Sequence, residues 1–519
     1  MLIYDELTAA ERALWDAFPE GRWVDLRTGV PEEDDPATGA EWGAGRTVRA
    51  EVVAALLLGG GPARPGGVAA LRLAGARITG ALDLAGAEIG SPVWLRGCRL
   101  EQPVSLHAAT TRTVHITAGR VPGVDAGLAR VEGHLDLTGS VLETGSLTLV
   151  NAQVTGELRL NGARITAPGR WGVFAGGLAM GGGVYCREGF FTRGGVRLVG
   201  AQLPGGLFMR GARLESPQGE ALVADRADAS AVELSDGFRA TGTVRLRGAR
   251  IADLLTLDGA TLDGTGTALF GVGMQVGTLD FGLATKPSGT VDLRGATVTA
   301  LHDRAGSWPD EVRLDGFVYG SLHSEATPGR ENVNRRLAWL RRNPGYAPQP
   351  YEQLAACYRQ AGHDDDARRV LLAKQRHRRT TLNVPGRVWG RLLDATVGYG
   401  ALDRRHPVVR VSPGRRRLAP HDGGRRRRHP HPEQELNATT GSMRLTAVTL
   451  DCASPPALAA LYGTATGLDL DERSTGDFAA PTSTPPGRGC RPWAPYGPSR
   501  SPSRNGGGSC STRPGARSA

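Results

Sequence analysis

Aromatic residues and lysine are scarce in this chain of 519 residues. Aromatics make up 5% of the sequence, and only two of the 62 basic residues are lysines, Lys286 and Lys374. So few aromatic side chains argue against a compact enzyme with an aromatic-lined pocket, whereas 74 Gly and 33 Pro favour a fold with many tight turns. The excess of arginine over lysine is most simply a codon bias of a GC-rich genome, so it does not by itself indicate nucleic-acid binding.

Two further absences restrict the class of protein. The six cysteines form no C-x-x-C pair and no spacing typical of a zinc site or a disulfide framework, and scattered thiols are typical of a reducing cytoplasm. No window reaches the ~18 consecutive apolar residues that suggest a transmembrane helix. The first residues, MLIYDELTAAERALW, are acidic where a signal peptide is basic. We therefore expect a cytoplasmic protein.

The net positive charge is concentrated near the C-terminus. Residues 401–519 contain 18 Arg and nine acidic residues, whereas residues 1–400 have a net charge of only +1. The overall charge of +10 therefore does not describe the main body of the chain.

A repeat with alternating steps of five and six residues is the strongest pattern in the sequence. It begins in ALRLAGARITGALDLAGAEIGSPVWLRGCRL, residues 70–100, and returns at residues 149–165, 198–214, 246–262 and 293–298. The first aliphatic positions are Leu73, Ile78, Leu84, Ile89, Leu95, Leu100 and Leu106, with small residues at Ala76, Ala87 and Cys98. This period matches neither an isolated helix nor a long strand.

Such a period fits short strands that each end in a turn. Leu71-x-Leu73 alternates as a strand does, and Gly75–Ala76 supplies a bend. Four sides of this kind give a coil of roughly 22 residues, and stacked coils pair strand on strand at about 4.8 Å. We predict a mainly β fold: a right-handed, four-sided parallel β-helix of roughly ten coils at residues 70–300, with the large aliphatic side chains facing its axis.

Helical caps are predicted at both ends, where they would cover the open coils. At residues 1–69, Thr8 and Glu11 have the spacing of a capping box, and a second helix in RTVRAEVVAALLLGG leads into the first coil. At residues 301–400, two helices separated at Gly362–His363 have the offsets of one tetratricopeptide-like hairpin. We interpret that hairpin as either a cap or a docking element.

The repeat resembles the pentapeptide-repeat solenoids, whose motif centres on Ala-(Asp/Asn)-Leu. The phrases GARITGALDLAGAEI, GELRLNGARI and VRLRGARIADLLTLDGATL resemble more closely a group of actinobacterial proteins labelled membrane-associated oxidoreductases. This resemblance covers residues 1–400 and implies attachment to the inner face of the plasma membrane. Members usually continue into apolar membrane-spanning segments after this point, which this chain does not. Some pentapeptide solenoids mimic DNA with a strongly acidic surface, and a nearly neutral body argues against that role.

The composition changes abruptly after Gly400. Residues 401–442, rich in Arg, Pro and His, are predicted to be a disordered linker, and residues 481–519 a disordered tail. Between them, MRLTAVTLDCASPPALAALYGTATGLDLDERSTGDFAA resembles the first βα unit of glyoxalase-like proteins of the vicinal-oxygen-chelate family. That unit, residues 443–480, has Asp451 and Cys452 where metal-dependent members have a His or Glu, so no ligand set transfers. We hypothesise that the two flanking segments are out-of-frame translation that joins neighbouring genes.

No catalytic, cofactor-binding or metal-binding residue is predicted. Gly271–Gly277 reads G-x-G-x-x-x-G without the helix and downstream acid of a dinucleotide site, so we interpret it as a solenoid corner. We expect structural or solvated roles for His107, His115 and His134. His363–Asp366 reads as the start of a helix, where acids favour the dipole.

One contact is predicted from charge. Lys374, Arg376, Arg378 and Arg379 in KQRHRR could meet anionic lipid, each adding about 1 kcal/mol of attraction, or could form a solvated helix face. The run Arg425–Arg428 lacks aromatic interleaving, and no specific nucleic acid is expected.

The sequence therefore predicts a non-enzymatic scaffold that binds an unknown protein partner, peripheral at the inner membrane face in intact relatives. The alternatives are the oxidoreductase that the family label implies and a glyoxalase- or dioxygenase-like activity of the C-terminal fragment. The oligomeric state stays open.

Overall fold

A parallel β-solenoid of about eleven coils forms most of the computed structural model of this chain. The structure describes residues 4–62, 64–167, 169, 171–304, 306–324 and 330–380, and two dipeptides at 469–470 and 481–482. Strand partners one coil apart are separated by 20 residues (Thr110 with Arg130) to 27 residues (Arg164 with Phe191). The prediction of a mainly β fold built from stacked parallel coils with helical caps is confirmed.

Each coil within residues 71–212 consists of four short strands, which we call sides 1 to 4 in chain order. Side 1 comprises Leu71–Ala74, Val93–Arg96, Val114–Thr117, Leu135–Asp136, Leu158–Arg159, Val184–Tyr185 and Leu207–Phe208. Side 2 comprises Arg77–Thr79, Arg99–Leu100, Arg120–Val121, Val141–Leu142, Arg164–Thr166 and Phe191–Arg193. Side 3 comprises Leu82–Asp83, Val104–Ser105, Val124–Asp125, Leu147–Thr148, Val173–Phe174 and Val196–Arg197. Side 4 comprises Glu88–Ile89, Thr110–Thr111, Arg130–Val131, Gln153–Val154, Ala179–Met180 and Gln202–Leu203.

From residue 213 onward the strands are longer than the predicted two or three residues. Sides 2 and 3 merge into Arg213–Val223, Arg239–Arg245, Thr261–Phe270 and Ser288–Asp292, and Val312–Arg313 continues side 3. Sides 4 and 1 merge into Asp228–Glu233, Arg250–Thr256, Gln275–Phe281, Thr297–Asp303 and Val318–Ser324. Register shifts occur where several of these strands pass a corner, for example between Ala229 and Ala231. The coils therefore extend to Ser324, past the predicted end at residue 300.

The core contains the aliphatic side chains that the repeat predicted to face inward. Leu73, Ile78, Leu95 and Leu100 are all at most 3% exposed, as are the equivalent positions of the later repeats. Because one strand residue in two points to the axis, a leucine or valine stacks on its partner in the next coil. Each such side chain contributes about 1.5–3 kcal/mol when it is fully buried.

Corner residues in the left-handed region turn the chain between sides. Gly75, with φ +65°, follows side 1, and a Cβ there would lie 2.3 Å from Cγ of Arg27. Leu128, with φ +59°, follows side 3 and adopts the same conformation despite its side chain. Glycine is therefore required at the first corner by space as well as by backbone angle.

The N-terminal cap supplies two helices and two strands to the first coil. α1 is Ala9–Ala17, α2 is Ala50–Leu57, the strands are Val24–Asp25 and Thr47–Arg49, and the 3-10 turns are Tyr4–Glu6, Phe18–Glu20, Gly39–Glu41 and Ala44–Arg46. The strands pair with sides 1 and 2 of the first coil. The predicted capping box is confirmed: Thr8 Oγ1 accepts from Glu11 N at 3.2 Å, and Glu11 Oε2 accepts from Thr8 N at 2.9 Å.

Glu11 also connects α1 to the cap strand Thr47–Arg49, which pairs with side 2 of the first coil. Its carboxylate is buried and accepts from Nε of Arg49 at 2.8 Å and from Nη2 at 2.9 Å. Burial acts to raise the pKa of Glu11, but hydrogen bonds from Arg49 and Thr8 outweigh it and lower that pKa. One carboxylate therefore stabilises both the helix start and the packing of α1 against the strand Thr47–Arg49.

The C-terminal cap consists of three helices: α3, Arg330–Leu340; α4, Gln349–Gln360; and α5, Asp364–Thr380. The predicted interruption at Gly362 is present. Asn343 and Gln349 accept from the backbone N–H groups of Leu314 and Gly316 at 2.9 and 3.0 Å. Gln353 donates to the carbonyl of Tyr319 at 2.7 Å. Side-chain amides of α4 and of the turn before it therefore take the place of the next coil, which identifies α4 as a cap.

Asp469–Leu470 and Pro481–Thr482 form a short antiparallel pair of strands in a second unit of the chain. The predicted linker at residues 401–442 lies outside the described residues. So do the rest of the glyoxalase-like unit and of the tail.

Candidate interaction face on side 1

The outward positions of side 1 form one continuous row of side chains, which we call the side 1 row. Each member from Arg72 to Asp280 lies between two buried residues, and successive members of the row are direct strand partners in adjacent coils. Its first eight members are Arg72, Trp94, His115, Asp136, Arg159, Tyr185, Phe208 and Glu233, and it continues through Thr256, Asp280, His302 and His323. The row is therefore a straight series of neighbours, one residue per coil.

The first part of the row is held by stacking and a hydrogen-bonding contact. The Arg72 guanidinium lies 4.5 Å from the ring centroid of Trp94, which stacks on His115 with centroids 5.6 Å apart. Nδ1 of His115 is 3.2 Å from Oδ2 of Asp136. Burial acts to raise the pKa of Asp136, but hydrogen bonds from His115 and Thr138 outweigh it and lower that pKa. Trp94 and His115 are thus held in orientation by their neighbours in the row.

The second part of the row is an aromatic pair covered by an arginine. Tyr185 and Phe208 stack with centroids 5.1 Å apart and rings tilted by 10°. The guanidinium of Arg187 lies 5.1 and 4.7 Å from these two rings, and Nη2 is 3.7 Å from a carboxylate oxygen of Glu233. Arg187 therefore contacts row members of three successive coils and covers both rings.

Arg159 lies between the two parts, as the strand partner of both Asp136 and Tyr185. Its Nε donates to a Glu157 oxygen at 2.7 Å. Beyond Glu233 the row is polar: Thr256 donates to Asp280 at 3.1 Å, and the rings of His302 and His323 are 4.7 Å apart. The Trp, Tyr and Phe members of the row are therefore confined to the coils before residue 213.

Side 2 carries a different row, which is dominated by arginine. Arg77, Arg99 and Arg120 are successive strand partners, and Arg77 and Arg99 pair with the acids Glu101 and Glu143. Arg120 shares Glu143 with Arg99. The charges of these three arginines are therefore largely neutralised by the two neighbouring carboxylates.

The residues predicted to contact lipid lie together on α5. The ammonium of Lys374 pairs with Glu352 of α4 and its side chain is 15% exposed, whereas Arg376 and Arg378 are exposed. The acids Asp364–Asp366 occupy the first turn of the same helix, as predicted, and Asp366 pairs with Arg369 at 2.8 Å. A lipid contact by Lys374, Arg376, Arg378 and Arg379 stays a prediction.

The histidines and glycines singled out in the sequence lie in solenoid corners and strands. Gly271–Gly277 spans the corner between Thr261–Phe270 and Gln275–Phe281. Nδ1 of His134 accepts from the backbone N–H of Glu157 at 3.0 Å, and His107 lies 3.6 Å from Asp125. Burial raises the pKa of Cys98 to about 11 and also raises that of Cys186, so neither thiol is suited to nucleophilic attack.

The side 1 row was missed in the sequence, although a signal for it exists. Its members are the middle residues of apolar-x-apolar triplets, such as Leu71-Arg72-Leu73, Val93-Trp94-Leu95 and Val114-His115-Ile116. The triplets predict that the middle residue points outward. Which side of the coil each triplet occupies depends on coil length, and that varies between repeats.

Among the described residues, no group of three or more His, Cys, Asp or Glu side chains could hold a metal ion. Within the same ranges, no helix is long and apolar enough to cross a membrane. The chain matches no family model, no curated protein and no solved structure.

Proposed function

We propose that this protein is a non-enzymatic scaffold that binds a partner protein on the side 1 row between Arg72 and Glu233. The observation that supports this proposal is that Trp94, His115, Tyr185 and Phe208 lie on one face together with arginines. Tryptophan, tyrosine and arginine dominate the energetic centres of protein interfaces.

Preorganisation supports this proposal. The backbone ladder fixes each member of the row against its neighbours, and stacking or ion pairing holds the side chains. A partner would therefore meet rings that are already ordered, so less side-chain entropy is lost on binding.

Affinity capture with full-length protein tests the proposal. We expect one stoichiometric partner to be retained by the wild type and lost, together with roughly 2 kcal/mol or more of binding free energy, in a Trp94→Ala, Tyr185→Ala double variant. The matched control is Gln153→Ala with Gln202→Ala, two outward positions on side 4. Equal capture of that partner by all three proteins would remove the side 1 row from the proposal. A stoichiometric flavin or nicotinamide chromophore in the purified protein would favour the oxidoreductase alternative.

We further propose that α5 brings this scaffold to an anionic membrane surface through Lys374, Arg376, Arg378 and Arg379. Co-sedimentation with phosphatidylserine vesicles is expected to weaken in Arg376→Gln, Arg378→Gln, by about 1 kcal/mol per residue. Vesicles of phosphatidylcholine alone are the control. Unchanged sedimentation of the variant would leave α5 as a solvated helix.

A further inference from the structure

A small cavity lies at the C-terminal cap, between the turn that follows Thr297–Asp303 and helix α3. It has a volume of about 40 Å³ and is lined by four arginines, two tryptophans and one carboxylate. Arg304 and Gly306 at its rim are exposed, so ions in solution can reach it. This cavity is separate from the side 1 row and has no part in the proposed scaffold function.

Two buried donors in the cavity wall have no acceptor. Arg336 is 2% exposed and gives Nη1 and Nη2 to Asp303, both at 2.6 Å, while its Nε is left without a partner. Trp339 is 3% exposed, and its indole N–H also lacks a partner. Buried donors are rarely left unpaired, because removing them from water without compensation is costly.

The carboxylate in the wall is already occupied. Asp303 accepts from Arg336 and also from the indole N–H of Trp308 at 2.7 Å. Arg342 donates only to neutral carbonyls in its described contacts, those of Trp308 and Pro309 at 2.8 and 2.9 Å. The site therefore combines unpaired N–H donors with the Arg342 guanidinium, and Asp310, a carboxylate that interacts electrostatically with Arg342, is already paired with Lys286.

We propose that this cavity binds a small inorganic anion of about the size of phosphate, which accepts from Arg336 and Trp339 and neutralises Arg342. A single water needs only about 10–15 Å³, so the space exceeds one water. Guanidinium groups and indole N–H groups are donors without acceptor capacity, which matches an anion better than a cation or a neutral donor. The bound anion would tie α3 to the last coil.

Isothermal titration calorimetry of the full-length chain tests this inference, with inorganic phosphate and, separately, chloride as probes at constant ionic strength. Trp339→Phe keeps an aromatic side chain and removes the indole N–H. Arg342→Gln removes the positive charge of the guanidinium. Matched controls are Trp94→Phe and Arg239→Gln, which alter the same residue types far from the cavity. Circular dichroism verifies that each variant is folded.

The expected result is one saturable site for phosphate or chloride in the wild type and in both controls. Arg342→Gln should weaken it by roughly tenfold or more and Trp339→Phe severalfold, as the loss of one hydrogen bond implies. Absence of saturable binding by either anion overturns the proposal, as does binding that neither variant weakens. If Arg342→Gln fails to fold, Trp339→Phe decides alone.

Discussion

The coils at residues 71–212 and those at residues 213–324 use aromatic residues in opposite ways. In the first group a single aromatic residue is buried, Phe190, and Trp94, Tyr185 and Phe208 lie on the outward row. In the second group Phe238, Phe281, Trp308, Phe317 and Tyr319 are buried, and the row carries polar residues. One stacking register therefore supports an outward aromatic row in one region and a core with more aromatic residues in the other.

The corner between sides 1 and 2 shows how the core changes. In the early coils it holds Ala76, Cys98 and Ala163, all fully buried. From Phe190 onward, phenylalanine and alanine alternate from coil to coil: Phe190, Ala212, Phe238, Ala260. A ring above a methyl group fills the space that two rings could not share.

The largest expected effect comes from changing the buried residue at the corner between sides 1 and 2. Phe238→Ala should lower the free energy of unfolding by about 3–5 kcal/mol because it leaves a ring-sized cavity. Ala163→Phe, at the equivalent corner of an early coil, should lower it by about 1–3 kcal/mol because the new ring would lie next to Phe190, which occupies the same corner of the following coil. Urea denaturation followed by circular dichroism measures both. A neutral or stabilising Ala163→Phe would contradict the view that a ring at this corner needs a small residue at the same corner of the neighbouring coil.

A smaller effect is expected at the N-terminal cap. Glu11→Gln should cost about 2–3 kcal/mol, since it removes a buried charge that Arg49 and Thr8 bind. Glu51, the exposed partner of the same arginine, is the control, and Glu51→Gln should change stability by less than about 1 kcal/mol.

The same carboxylate gives a pH dependence with a defined sign. The folded-state pKa of Glu11 is lowered relative to about 4.3 in the unfolded chain, so the stabilisation is complete above that value and is lost as pH falls through the lowered pKa. Thermal melts between neutral and acidic pH should show a contribution in the wild type that Glu11→Gln lacks. Identical pH profiles for the two proteins would rule out this role of Glu11.

The smallest expected effect concerns backbone strain. Leu128→Gly should stabilise the protein by about 1 kcal/mol, because leucine is strained at φ +59° and its side chain is half exposed. Gly86 lies at the same corner with open space around it, so Gly86→Leu is the matched reverse change and should destabilise. Thermal melting temperatures measure both changes in stability. A lower melting temperature for Leu128→Gly would show that the contacts of the leucine side chain outweigh its backbone strain.

Local patterns in the sequence predicted much of the fold. The five–six spacing identified inward residues such as Leu73 and Ile78, and the Thr8–Glu11 spacing identified the capping box, because each depends on residues close in the chain. The pairing of Glu11 with Arg49, the amide contacts of Gln349 and Gln353, and the contact of His115 with Asp136 join distant positions. No local pattern specifies them, since coil length varies. The merged strands after Arg213 were missed for the same reason.

Disulfide trapping on side 1 tests the central claim, that the apolar residues stack inside while the residues between them form one outward row. Strand partners in adjacent coils are about 4.8 Å apart, within the span of a disulfide. Trp94→Cys with His115→Cys should therefore form a disulfide under mild oxidation, detected by peptide mass spectrometry. Trp94→Cys with Val114→Cys should not, because Val114 faces the axis. The reverse outcome would contradict the account.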